Sequence, residues 1–167
     1  GQERARRAGT ENIAAVVGLG KAIELATENL QEHMERLSKL RDRLIDGILE
    51  RVPHSYLNGP RGDKRLPSNS NLRFTFIEGE SILLSLDFEG ICASSGSACT
   101  SGSLDPSHVL LAIGLPHELA HGSLRLTLGE GSTEEDVDYV LEVLPEIIQR
   151  IRNMSPLWSD FDKKGEK

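Results

Sequence analysis

The spacing of apolar residues predicts a long amphipathic helix in the first third of the chain. From residue 21 to about residue 52, apolar side chains recur every three or four positions, which places them on one stripe of a helix. The stripe comprises Ile23, Ala26, Leu30, Met34, Leu37, Leu40, Leu44 and Ile48. Thr10 is a candidate N-cap for a short apolar segment before this helix, and Pro53 ends the helix. Such a stripe needs a sheet or another helix to cover it.

Two later segments alternate apolar and polar residues, which is typical of strands with one buried face. These segments are residues 71–77 and residues 123–128. Weaker signals predict short strands at residues 56–57 and 91–93. Cys92 lies in the last of these, and we interpret it as a small buried hydrophobic residue.

Further helices are predicted between and after the strands. They cover residues 79–86, 106–113, 116–120 and 132–153. The last begins with a capping box in which Glu135 follows Ser132 by three residues, and Pro145 predicts a kink within it. Short strands separated by helices predict an α/β fold of the two-layer α+β kind. We expect a small, mostly antiparallel sheet with helices packed on it.

Composition and charge narrow the class of protein. The chain has 167 residues, about one domain, and its net charge of −7 argues against a nucleic-acid or anionic-membrane surface. No apolar run approaches the roughly 18 residues of a membrane-spanning helix. Two cysteines spaced seven apart make neither a disulfide framework nor a CxxC site, which favours a reducing, cytoplasmic compartment. Because the sequence starts at Gly1 with a polar segment, we expect a fragment of a longer protein.

The segment with the clearest chemistry is residues 94–103, Ser-Ser-Gly-Ser-Ala-Cys-Thr-Ser-Gly-Ser. It places Cys99 among small, polar residues between a predicted strand and a predicted helix. A cysteine in an exposed linker is the simplest interpretation. A linker is nevertheless a poor account of a segment inside one compact domain. A thiol that carries a group from one partner to another needs such a flexible setting, so Cys99 is a candidate nucleophile.

This segment, with Leu-Asp-Pro-Ser at 104–107 and Glu-Leu-Ala-His-Gly-Ser-Leu-Arg at 118–125, resembles the C-terminal part of a cysteine desulfurase. The opening residues 2–12 resemble the family's segment shortly after its cofactor lysine, and Ser-Pro-Leu-Trp at 155–158 resembles the tail of the long-loop group. The family is the class V aminotransferases, pyridoxal-phosphate enzymes of fold-type I. It implies the small C-terminal domain of that fold, preceded by a long interdomain helix. Residues 1–20 would come from the large domain and dimer interface, and residues 21–167 would form the small domain with the interdomain helix.

The resemblance also implies an activity and a set of site residues. Such enzymes take sulfur from L-cysteine, release L-alanine and hold the sulfur as a persulfide for iron–sulfur cluster assembly. Cys99 matches the persulfide-bearing nucleophile, and Arg125 matches the residue that binds the substrate carboxylate. Thr10 matches a residue whose hydroxyl reaches the phosphate of pyridoxal phosphate in the other subunit of a homodimer. The implied partners are L-cysteine and an iron–sulfur scaffold or other sulfur-acceptor protein.

One family feature is missing from the chain. The family's cofactor lysine lies upstream of the matched region, and the context of Lys21 does not match it. We therefore expect this chain to be inactive alone. Two alternatives stay open: a selenocysteine lyase or sulfinate-acting relative, and a non-catalytic sulfur-carrier or docking module. The tail residues Leu157, Trp158 and Phe161 are compatible with docking, and equally with packing on their own domain.

A second motif points to different chemistry. Residues 117–121 read His-Glu-Leu-Ala-His, which formally matches the H-E-x-x-H zinc-protease signature. The motif requires both histidines on one face of a well-formed helix. Pro116 and Gly122 leave barely one turn between them. We therefore expect no metal site, and His121 receives no catalytic role.

Overall fold

The computed structural model describes residue 6, residues 8–95 and residues 106–165. The chain divides into two compact units, Gly1–Met34 and Glu35–Lys167. The described helices are α1 (Ile13–Glu28), α2 (Leu30–Arg51), α3 (Gly79–Phe88), α4 (His108–Ala112), α5 (His117–Ala120), α6 (Glu134–Asn153) and α7 (Pro156–Gly165). The strands are β1 (Ser55–Leu57), β2 (Asn69–Phe74) and β3 (Ser123–Thr127), and a 3₁₀ turn covers Gly62–Lys64.

The first unit begins with a capped helix. The side chain of Asn12 accepts a hydrogen bond from the backbone nitrogen of Ala15 over 3.0 Å and caps α1. The prediction that Thr10 is the N-cap is therefore wrong, because the helix begins at Ile13. None of the residues of α1 is buried within the described chain.

The single long helix predicted from residue 21 to residue 52 is also wrong, because α1 and α2 are separated at Asn29. This residue has φ −128° and ψ 35°, outside helical geometry, and its nitrogen bonds to the Thr27 carbonyl. The Thr27 hydroxyl bonds back to the carbonyl of Ile23 over 2.9 Å. Such back-bonding weakens a helix near its end. The predicted apolar stripe is buried only from Leu37 onward.

The second unit contains a three-stranded antiparallel sheet in the order β1-β2-β3. Leu72 of β2 lies opposite Leu124 of β3, and both are fully buried. Asn71 lies opposite Arg125, so this pair faces the other side of the sheet. The sheet thus has one apolar face and one polar face. Strands were predicted at these places, and the small antiparallel sheet is confirmed.

Helices α2, α3 and α6 cover the apolar face and complete two layers. Their inward residues join those of β2 and β3 in one core. The core includes Leu40, Leu44, Ile48, Leu72, Phe74, Ile82, Leu86, Leu124, Leu126, Val137, Leu141, Leu144 and Ile148. Burying each large aliphatic side chain contributes about 1.5–3 kcal/mol, so the three helices hold the sheet's geometry firmly.

Two local predictions about this unit need correction. The capping box of α6 joins Thr133 and Asp136, not Ser132 and Glu135, and both of its hydrogen bonds are present. Thr133 has the extended backbone that a cap requires, with φ −117° and ψ 173°. The predicted strand at 91–93 does not form, and Cys92 is exposed rather than buried.

The tail helix α7 packs on the second unit through an aromatic cluster. Trp158 and Phe161 contact Phe76 at ring-centroid distances of 5.5 and 4.7 Å, and both contact His54. The buried guanidinium of Arg152 lies over the Trp158 ring at 4.9 Å. The rings of Trp158 and Phe161 thus pack on their own domain, while Leu157 is exposed. The docking interpretation of the tail stays a prediction.

No helix in the described part of the chain is long and apolar enough to cross a membrane. The division between the two compact units falls within α2. The assignment of residues 1–20 to a large domain, and of residues 21–167 to a small domain, stays a prediction.

Candidate active site

Arg125 lies on the polar face of the sheet, near the middle of β3. Its side chain is exposed, while its neighbours Leu124 and Leu126 are buried on the opposite face. Among the residues that the structure describes, Arg125 forms no ion pair with a carboxylate. An exposed guanidinium on a rigid strand is suited to bind a carboxylate ligand through two parallel hydrogen bonds.

The first residue of the cysteine segment, Ser94, pairs with Arg125 through the backbone. Ser94 and Arg125 form a two-residue antiparallel bridge, with N···O distances of 3.0 and 2.6 Å. Ser95 follows beside Gly79, where an added β-carbon would lie 3.4 Å from the Ser95 side chain. Cys99 itself lies outside the described residues, five positions after Ser94. The start of its segment is therefore fixed against β3 and the N-terminus of α3.

Gly79, at the start of α3, allows the backbone of α3 to lie close to the backbone of His121 and Ser123. The nitrogen of Gly79 donates to the carbonyl oxygen of His121 over 2.9 Å. A β-carbon at position 79 would lie 2.7 Å from the Ser123 carbonyl oxygen, a distance that side chains do not tolerate. His121, for which the sequence predicted no catalytic role, thus contributes its backbone to the base of the site.

A row of polar side chains adjoins Arg125 on the same face, and sequence reasoning missed it. Arg73 Nη1 donates to Asn58 Oδ1 over 2.8 Å, and Asn58 Nδ2 donates to Asn71 Oδ1 over 2.7 Å. Asn58 Nδ2 also lies 3.4 Å from the Ser123 hydroxyl oxygen. The row runs across the sheet from β1 to β3. Its only sequence signal is the alternation of polar residues within β2.

Arg65 holds Asn58 from the loop side. Its guanidinium donates to the backbone carbonyl of Asn58 and, over 2.6 Å, to that of Pro60. Burial lowers the pKa of the Arg65 guanidinium, and the nearby positive charge of Arg41 lowers it further. The Arg65 side chain therefore fixes the position of the buried Asn58 amide.

Thr10 belongs to the first compact unit. It is exposed and precedes the α1 cap residue Asn12 by two positions. The predicted site residues are thus distributed: Thr10 lies before α1, Arg125 lies on β3, and Cys99 lies outside the described residues.

The H-E-x-x-H motif forms a single turn of helix, α5. The two histidine rings contact each other, with His121 Nε2 3.2 Å from His117 Nδ1. Within the described ranges, no group of three His, Cys, Asp or Glu side chains could hold a metal ion. The two rings lie against each other, with their centroids 4.9 Å apart.

Comparison with known proteins identifies the family to which this chain belongs. The aminotransferase class-V family matches residues 1–140, and the chain belongs to that family. The resemblance that the cysteine segment indicates is confirmed at this level.

Individual relatives make the likeness more specific. The chain is 64% identical over its whole length to "Cysteine desulfurase IscS" of Clostridium botulinum, covering 42% of that protein. It is 62% identical over 93% of its length to "Cysteine desulfurase IscS" of Methanosarcina thermophila, covering 38% of it. Among solved structures, a "NIFS-LIKE PROTEIN" matches 89% of this chain with a TM-score of 0.74 and 33% identity, over 37% of its own length. The chain thus spans about two-fifths of the relatives it matches.

Proposed function

We propose that this chain is part of a pyridoxal-phosphate-dependent cysteine desulfurase. The complete protein would convert L-cysteine to L-alanine and pass the sulfur to an acceptor protein for iron–sulfur cluster assembly. It would act as a homodimer in a reducing, cytoplasmic compartment. The observation that carries this proposal is the bridge between Ser94 and Arg125, which pairs the start of the cysteine segment with the residue proposed to bind the substrate carboxylate.

The donor chemistry of this chain fits one part of the cofactor. A phosphate group is bound by hydroxyl donors in positive potential, and the exposed Thr10 stands at the positive end of α1. Thr10 would hold the phosphate of the cofactor belonging to the partner subunit. The amine of Lys21 is paired with Glu24 over 2.8 Å, consistent with a cofactor lysine elsewhere in the complete protein. When bound, pyridoxal phosphate withdraws electrons from the substrate's α-carbon.

Arg125 would hold the substrate by its α-carboxylate. Two parallel N–H···O bonds from a planar guanidinium set both the position and the rotation of the carboxylate. The α-carbon and the sulfur of L-cysteine then have defined places above the polar face. The strand β3, buried on its other face, fixes the backbone from which the Arg125 side chain extends.

Cys99 would accept the sulfur. The deprotonated Cys99 thiolate attacks the substrate sulfur, an S–S bond forms, and the substrate's C–S bond breaks with its electron pair remaining on carbon. That carbon takes up a proton, so the products are alanine and a Cys99 persulfide, with no external oxidant. Five extended residues span at most about 18 Å, which sets an upper limit on how far the Cys99 backbone can lie from the bridge at Ser94.

The test is sulfur transfer by the complete protein loaded with pyridoxal phosphate. Alanine and sulfide release from L-cysteine are measured, together with transfer of ³⁵S to the enzyme. Cys99→Ser is expected to abolish transfer of labelled sulfur. Cys92→Ser is the matched control, because Cys92 is exposed and lies seven positions away. A Cys99→Ser enzyme that still transfers labelled sulfur would refute the proposal.

The same assay distinguishes the alternative of a sulfur carrier. A carrier would accept labelled sulfur from a separate persulfide donor but would release no alanine from L-cysteine. Offering L-selenocysteine beside L-cysteine separates a selenocysteine lyase from a desulfurase. Alanine produced only from L-selenocysteine would replace the proposed substrate.

A further inference from the structure

The residue opposite Arg125 in the sheet has, on the same face, a donor with no hydrogen-bond partner among the described residues. Asn71 pairs with Arg125 in the antiparallel register of β2 and β3, so the two side chains rise side by side. Directly opposite residues in such a pair have β-carbons about 5 Å apart. One small anion can therefore touch both side chains.

A chain of hydrogen bonds determines which way the Asn71 amide points. The guanidinium of Arg73 can only donate, so the atom of Asn58 that it contacts at 2.8 Å is the oxygen. The other arm of the Asn58 amide is then its NH₂ group, which donates to Asn71 over 2.7 Å. The contacted atom of Asn71 must therefore be its oxygen. The arginine at one end of the row thus assigns both amides.

This assignment leaves the NH₂ group of Asn71 directed away from Asn58. Asn58 follows β1, while Arg125 lies on β3, and β2 runs between them. Asn58 Nδ2 also lies 3.4 Å from the Ser123 hydroxyl on β3, so the direction of the Asn71 NH₂ group follows from its own amide: the arm opposite the bonded oxygen points away from the Asn58 amide. No hydrogen bond within the described residues occupies that NH₂ group.

We propose that Asn71 is a substrate-binding residue that donates a hydrogen bond to the α-carboxylate held by Arg125. This inference rests on the proposed function for the identity of the substrate. The neutral amide supplies a donor without adding charge, so it supports one carboxylate beside one guanidinium. Asn58 is the positioning residue, because it holds the Asn71 oxygen and keeps the NH₂ group available.

The test is carboxylate recognition by the complete protein loaded with pyridoxal phosphate. L-Alanine, which carries the carboxylate, and L-alaninamide, which does not, are titrated by calorimetry into the wild type and into Asn71→Ala. Loss of one hydrogen bond to a charged group is expected to weaken L-alanine binding about tenfold. Binding of L-alaninamide is expected to stay unchanged.

Two further variants sharpen the result. Asn71→Asp has the same shape but places a negative charge beside the carboxylate, so it is expected to weaken L-alanine binding more than Asn71→Ala does. It also carries the test if Asn71→Ala does not fold. Thr127→Val is the matched control, because Thr127 is exposed on the same face of β3 but lies opposite Asn69. This control is expected to bind L-alanine as the wild type does.

Two outcomes would overturn the inference: unchanged L-alanine affinity in both Asn71 variants, or equal weakening of L-alanine and L-alaninamide. Sulfide release from L-cysteine is measured on the same samples. Asn71-dependent binding of L-alanine without sulfide release from the wild type would refute the proposed function and leave the carboxylate subsite standing. Normal sulfide release with binding independent of Asn71 would refute the subsite alone.

Discussion

The backbone nitrogen of Phe74 donates to the carbonyl oxygen of Gly122 over 2.8 Å, and the two residues approach as closely as their backbones permit. A β-carbon at position 122 would lie 2.1 Å from the Phe74 carbonyl oxygen and 2.9 Å from that of Ile77. These neighbours are backbone atoms, which cannot rotate away. The contact sets the place where the chain enters β3, three residues before Arg125.

Gly122→Ala is therefore expected to destabilise the protein by about 3 kcal/mol, as for a severe overpacking substitution. Urea denaturation followed by circular dichroism measures the change. Gly129→Ala is the control, because nothing lies within 4 Å of an added β-carbon at that position. Equal stability of the two variants would show that the strand can shift to accept the methyl group.

Arg125→Ala is expected to lower kcat/KM for L-cysteine, since the carboxylate loses its charged partner. The ratio of the two kcat/KM values is expected to correspond to about 2–4 kcal/mol. Arg125→Lys is expected to recover only part of this loss, because an ammonium group cannot form the two parallel bonds of a guanidinium. Steady-state kinetics on the complete enzyme gives both values. Arg61→Ala serves as control, since Arg61 is exposed and paired with Asp46. Wild-type kinetics in Arg125→Ala would remove the residue from the site.

Arg152 ties together the end of α6 and the segments around β1 and β2. Its guanidinium donates to the carbonyl oxygens of Pro53 and His54 over 2.7 and 3.2 Å, and lies 3.4 Å from that of Thr75. Burial lowers the pKa of this guanidinium. His54 has a φ of 55°, an unusual backbone conformation, and its carbonyl oxygen also accepts from the backbone nitrogen and the hydroxyl of Thr75 over 3.2 and 3.3 Å.

Arg152→Met is expected to destabilise the protein by about 2–4 kcal/mol, because three part-buried carbonyl oxygens lose a charged donor and that of Pro53 is left with no other donor among the described residues. The melting temperature measured by calorimetry checks this. Arg150→Met, two residues earlier and exposed, is expected to change the melting temperature little. If Arg152→Met keeps the wild-type melting temperature, water must replace the guanidinium as donor to these carbonyl oxygens.

The hydrogen bond between Tyr139 and Glu89 is expected to make the protein less stable at alkaline pH. Its hydroxyl donates to Glu89 over 3.2 Å, and this hydrogen bond is the main cause that raises the pKa of the phenol above its ordinary value. A group whose pKa is higher in the folded state stabilises the fold below its unfolded pKa of about 10 and loses that effect as pH rises through the folded value. Tyr139→Phe is expected to flatten the decline in melting temperature above about pH 10. An identical decline in both proteins would contradict this account.

The strands could be predicted from the sequence because apolar residues alternate with polar ones, Leu72 and Phe74 in β2 and Leu124 and Leu126 in β3. The positions of helix ends were harder to predict. Asn29 separates α1 from α2 without a proline or glycine to indicate it, and Ser132 and Thr133 offer nearly the same capping chemistry one residue apart. In the structure, the cap belongs to the residue with extended backbone, a property that residue type alone does not determine.

The polar row beside Arg125 could not be predicted for a different reason. Asn58 and Arg73 lie 15 positions apart, and Asn71 meets Arg125 across 54 positions. Their proximity depends on the register of two strand pairs, which only the folded sheet defines. A resemblance to a family supplied Arg125, Thr10 and Cys99 as candidates, but it supplied no reason to consider the Asn71 amide opposite Arg125.

The packing of α7 gives this protein an optical reporter at a known place. Trp158 is the chain's single tryptophan, and it lies against the Arg152 guanidinium and the rings of Phe76 and Phe161. Its emission wavelength therefore reports the seating of the C-terminal helix and not the melting of the leucine-rich core. Circular dichroism instead follows mainly the long helices α2 and α6. Unfolding curves recorded by fluorescence and by circular dichroism would separate release of the C-terminal helix from unfolding of the domain.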